Sequence, residues 1–186
     1  MRMPWRRLYS LYMKQTKKLT LCAVLVALGA AVMIIGAVID VLDLTVCAFA
    51  SLLMVFVYLE IGSPYTYLVW ICTTLSTAIM YSASILWVEY FFVFGIYPIL
   101  KGYFERLPRP FWLVVKLAFI NAVIALIYLI CELLFSIPFF NEGSLIMNAV
   151  LCVLINVAFV AYDMFITVMV KFYVGKIRPR IAKFLK

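Results

Sequence analysis

Leu19–Ile39, LTLCAVLVALGAAVMIIGAVI, runs for 21 residues without a charged side chain. At about 1.5 Å per residue a helix of this length reaches about 30 Å, the hydrocarbon thickness of a bilayer. An amphipathic helix of a soluble protein keeps one face polar. This stretch offers only Thr20 and Cys22 for such a face. A basic stretch precedes it and Asp40 follows it, the charge order of a signal peptide as well as of a first span. The run is longer than a signal core and further apolar segments follow, so it reads as a retained span.

The rest of the chain has the same character. Of 186 residues 68% are hydrophobic and only 13% charged, whereas soluble domains carry roughly a quarter charged residues. A fold of this size cannot hide so much apolar surface from water, so lipid is its solvent, and the length suits one compact unit. Further spans are expected over Leu44–Leu59, Tyr65–Ala83, Ile85–Leu100, Phe111–Ile137 and Leu145–Val170. The segment Ile61-Gly62-Ser63-Pro64 reads as a turn, with Pro64 in the first turn of the next helix, where its missing N–H costs nothing. The expected fold is an all-α, six-helix transmembrane bundle. Residues 1–18 form a basic N-terminal segment, 19–170 the transmembrane domain and 171–186 a basic tail along the interface, broken near Pro179.

Charge sets the orientation. All 16 basic residues fall into three clusters: Arg2 to Lys18, Lys101 to Lys116, and Lys171 to Lys186. Six spans put all three on one side, and the excess of Lys and Arg in cytoplasmic loops assigns both termini to the cytoplasm. The net charge of +8 therefore meets anionic lipid rather than nucleic acid. Asp40, Asp43, Glu89, Glu132 and Glu142 fall at or near the opposite ends of the spans, with no basic residue among them, giving an outer rim that attracts cations. The five cysteines lie within apolar runs and form no C-x-x-C pair, and histidine is absent. The commonest general base and metal ligand is thus missing, and no nucleophile–base pair points to an enzyme.

Within the first span Ala23, Ala27 and Ala31 recur every four residues and share one helix face, a smooth strip that lets another helix approach closely. A basic segment leads into Lys18-Leu19-Thr20-Leu21-Cys22-Ala23, and Gly62-Ser63-Pro64 joins the second and third spans. With six spans in fewer than 200 residues, the chain resembles the substrate-binding S component of energy-coupling factor transporters, the vitamin-uptake class of ABC importers. The resemblance implies a bacterial cytoplasmic membrane protein that captures a substrate. Its partners would be a transmembrane coupling subunit and two ABC ATPases, with Ala23 and Ala27 as docking residues and Ala31 extending the strip. The chain has no G-x-x-x-x-G-K-[ST] loop, and the resemblance calls for no cofactor and no chemistry of its own. It departs from the family in the connection between the first two spans, where only Asp40-Val41-Leu42-Asp43 stands.

The outer half of the bundle is the expected ligand site. Tyr81, Trp87, Glu89 and Tyr90 cluster where the third and fourth spans meet that face. Aromatic rings beside a carboxylate suit a small cationic or amine-bearing ligand, though Tyr81 and Trp87 also fit an interfacial aromatic belt. Glu132 and Asn148 are further ligand-binding candidates, because polar groups within spans face the interior or a wet cavity. Asn121 and Asn156 equally suit helix–helix contacts. Asp163 reads as a partner of Lys116 or the basic loop, and Lys101 with Glu105 as an i,i+4 pair. Two other functions compete with the importer subunit. One is a small cation- or proton-coupled carrier using Glu89, Glu132 and Asp163, although no internal repeat relates the two halves. The other is a membrane scaffold that binds no small ligand.

Overall fold

The computed structural model describes residues 15–39, 42–106, 108–135 and 145–179, and every regular element among them is helical. The chain divides into two compact units, Met1–Phe139 and Phe140–Lys186. The first contains α1 (Gln15–Val38), α2 (Asp43–Glu60), α3 (Ser63–Met80), α4 (Leu86–Glu89), a π-helical segment (Tyr90–Gly95), α5 (Tyr97–Phe104) and α6 (Arg109–Ile130). A π turn, Cys131–Phe135, continues α6. The second unit is built on α7 (Leu145–Phe172), which runs into a π turn at Tyr173–Ile177.

Four stretches are long and apolar enough to cross a membrane: Gln15–Val38, Asp43–Glu60, Phe111–Leu133 and Ile146–Ile177. These coincide with four of the six expected spans. The other two differ for a physical reason. α3 has 18 residues but brings Thr66, Thr73, Thr74 and Thr77 to its buried side, which lowers its apolar character. The expected span over residues 85–100 is broken into α4, the π segment and α5. Pro98 lies in the first turn of α5, where its missing N–H and its ring interrupt the ladder with the preceding turn. Counted with its pieces together, this broken segment makes the described residues six helical segments in all.

The broken segment is also the most enclosed part of the first unit. Leu86, Val88, Tyr90, Tyr97, Ile99 and Lys101 are all buried to 1% exposure or less. It packs against α1, α2, α3 and α6. Irregular backbone at membrane depth is tolerated where protein rather than lipid surrounds it, and this segment meets that condition.

α1 has two different faces. Cys22, Gly29, Ala30, Met33, Gly36 and Ala37 are buried, against α2 and α3. A Cβ at Gly36 would come within 2.8 Å of Val46, and one at Gly29 within 3.2 Å of Thr73, so these glycines set how closely the helices approach. Ala23, Ala27 and Ala31 run along the edge of this buried stripe and are exposed. The α2–α3 turn forms as expected: Gly62 has φ +110°, a conformation open to glycine, and Pro64 follows in the first turn of α3.

Candidate functional site

The first unit separates its charges between its two ends. At one end Glu105 lies 3.6 Å from the Lys101 ammonium and 3.7 Å from that of Lys116, with all three side chains at most 9% exposed. The expected Lys101–Glu105 pair is present, and Lys116 of α6 joins it, tying α5 to α6. That Lys116 reaches Glu105 was not read from the sequence, because the turn that returns α6 beside Glu105 is a tertiary feature. Asp163 belongs to the second unit.

At the other end α2 begins with Asp43 and α4 ends with Glu89. Their carboxyls are within electrostatic reach of each other, and both are within reach of Cys47. The Cys47 thiol is fully buried, 3.9 Å from both the Met33 sulfur and the Leu86 carbonyl oxygen. Cys131, at the end of α6, also lies within the field of Glu89. Tyr90, which follows Glu89, is 1% exposed and lies within electrostatic reach of Cys47 and beside Thr73 of α3. Glu89 and Tyr90 are therefore brought together with Asp43, Cys47 and Thr73.

α3 contributes a run of threonines. Thr66, Thr73 and Thr77 are at most 1% exposed and, at spacings of seven and four, lie on one helix face. Thr66, Thr74 and Thr77 each donate to the carbonyl four residues back, at 2.9–3.0 Å, the usual way a hydroxyl is satisfied inside a helix. Thr73 differs: its buried Oγ1 has no hydrogen-bond partner. The Tyr90 hydroxyl lies beside it. One turn away, the Trp70 indole stacks on Phe91 at 4.6 Å and lies hard against Gly95, its buried Nε1 likewise without a hydrogen-bond partner.

The other expected ligand residues are placed differently. The Trp87 indole N–H donates to the Ser82 carbonyl at 3.3 Å, clasping the connection from α3 to α4. Tyr81 caps α3 and is exposed, as is Glu132 on the π turn after α6. Asn148 is on α7, in the second unit. Asn121 and Asn156 each donate to a carbonyl of their own helix, at 2.8 and 2.9 Å. Asp40 and Glu142, of the expected outer rim, lie outside the described residues.

Asp43, Cys47 and Thr73 are the members that inspection of the sequence did not single out as ligand residues. The threonine spacing on α3 was the available signal. Their convergence depends on α2 and α3 flanking the broken segment. Among the described residues no group of three or more Cys, Asp or Glu side chains is arranged to hold a metal ion. The arrangement offers negative charge, two hydroxyls and a thiol in a buried setting, which suits binding of a cation. No family model matches this chain, and no curated protein or solved structure is similar to it.

Proposed function

We propose that this chain is the membrane-embedded substrate-capture subunit of an ATP-driven importer of a small, vitamin-like molecule, with no chemistry of its own. The carrying observation is the outward face of α1. Ala23, Ala27 and Ala31 are exposed, while the helix packs within its unit through an adjoining small-residue stripe, Gly29, Ala30, Gly36 and Ala37. A strip needed only for internal packing would be covered by the neighbouring helices. Left outside, it suits close approach by a helix of another protein. The proposed partners are a transmembrane coupling subunit and two ABC ATPases, in a bacterial cytoplasmic membrane.

The proposed topology has six crossings and both termini in the cytoplasm. It is supported by the charge separation of the first unit, whose lysine-rich end suits the cytoplasmic face and whose Asp43–Glu89 end would then receive substrate from outside. Substrate would enter beside Glu89 and Tyr90.

Replacing Ala23 and Ala27 by Trp in the tagged full chain tests the reading. The wild-type protein, gently solubilised from native membranes, is expected to bring two ATPases and a helical coupling subunit with it, as read by mass spectrometry. The double variant is expected to lose them while keeping its own fold. Wild-type protein that reproducibly brings down a different partner without ATPases would favour a scaffold. Ligand-driven pH change in proteoliposomes holding this chain alone would favour a coupled carrier.

A further inference from the structure

The buried polar groups around Glu89 extend the capture reading, and the inference drawn from them rests on that reading for the direction from which the site is loaded. Three observations converge between α2, α3 and α4. Asp43 and Glu89 come from different helices and meet within electrostatic reach. Cys47, fully buried, lies within electrostatic reach of both carboxyls and of the buried Tyr90. Beyond Tyr90, the Thr73 hydroxyl is buried and makes no hydrogen bond, although its three buried neighbours on α3 all bond back to their own helix. A buried hydroxyl left without a partner is destabilising, and polar groups at membrane depth characteristically mark a ligand path.

We propose that Asp43, Cys47, Thr73, Glu89 and Tyr90 form a binding site for a small organic cation bearing an ammonium group, with the two carboxylates taking the charge and Thr73 meeting a polar group of the ligand. An anion is disfavoured by two carboxylates, and Lys101 and Lys116 of the first unit are paired with Glu105 at its other end. A metal ion would need more oxygen ligands than the described residues bring together. An organic ammonium needs only charge, a hydroxyl and an aromatic wall, and Tyr90 supplies the last.

Charge-selective thiol labelling tests this with probes of known charge in place of the natural ligand. The full chain in zwitterionic nanodiscs carries Thr73→Cys as its single thiol, the native cysteines being replaced by Ala. A second form keeps native Cys47 as its single thiol, so the result does not depend on one substitution. Each is treated with the permanently cationic trimethylammonium-ethyl methanethiosulfonate and with the anionic sulfonatoethyl reagent. The ratio of cation to anion rates is expected to exceed that of a free thiol in solution by at least about tenfold, the lower end of what a focused field does to an encounter rate. Combining Asp43→Asn with Glu89→Gln should bring that preference down to the value of a free thiol in solution. A ratio no higher than that of a free thiol, a preference that survives loss of both carboxylates, or thiols that react with neither reagent until the chain is unfolded would overturn the proposal. Tagged wild-type protein from native membranes separates it from the capture reading. Charge-selective labelling without co-purifying ATPases leaves the cation site standing and removes the importer role. Co-purifying ATPases with charge-blind labelling do the reverse.

Discussion

Replacing Gly95 by Ala probes whether packing holds the break in the fourth segment. A Cβ at this position would run into Cδ1 and Nε1 of the Trp70 indole and stand 2.9 Å from the Tyr90 carbonyl oxygen. The carbonyl is backbone and has no rotamer to change. The indole is only 9% exposed and is stacked on Phe91 at an interplanar angle of 22°, so it leaves only by breaking that stack. Overpacking a core costs about 1–3 kcal/mol, and an aromatic pair is worth about 0.5–1.5 kcal/mol beyond its buried area. Together they set a loss of about 1.5–4.5 kcal/mol. For a chain of this length each kcal/mol lowers Tm by roughly 2–4 °C, so a fall of at least about 3 °C is expected. A thiol-reactive dye in detergent reads the transition as a rise above the signal of the half-buried Cys72 and Cys152, because Cys22 and Cys131 are fully buried in the folded protein. Trp70→Leu removes the obstructing ring, and Gly95→Ala placed in that background should cost at least about 1 kcal/mol less than in the wild type. A Tm unchanged by Gly95→Ala, or strictly additive losses in the double variant, would refute the argument.

Other substitutions test separate parts of the fold. Glu105→Gln removes the carboxylate that Lys101 and Lys116 share and should destabilise by about 3–5 kcal/mol. Replacing all three residues by Met should recover most of that loss in the same thermal assay. Gly62→Ala forces a side chain onto φ +110° and should cost about 1–3 kcal/mol. Gly175→Ala, where a Cβ meets nothing within 4 Å, should leave Tm unchanged or slightly raised. Ala23→Trp and Ala27→Trp fall on an exposed face and should change stability by no more than about 0.5 kcal/mol. A large fall in Tm would mean that the face packs inside the protein and is unavailable for docking.

Much of the helical architecture was legible in the sequence because lipid imposes a simple rule, that a crossing segment satisfies its own backbone and presents apolar side chains. The Leu19–Ile39 run announces α1, and Gly62 with Pro64 announces the α2–α3 turn, since both are local requirements of chain length and backbone dihedral. Pro98, without an amide N–H, is a local cause of the break in the fourth segment. Its π-helical form and the burial of its core residues follow from the four helices packed around it, which no local pattern encodes. Glu89 and Tyr90 stood out as a carboxylate beside a ring in an apolar stretch. Their partners did not: Asp43 and Cys47 precede Glu89 by more than 40 residues and Thr73 lies on a third helix. The sequence by itself determined that the chain is helical, membrane-embedded and charge-segregated, because hydropathy and charge act along the chain. Only the tertiary structure decided which face of α1 stays uncovered, which lysines share Glu105 and which hydroxyl is left without a bond, because those depend on which helices become neighbours.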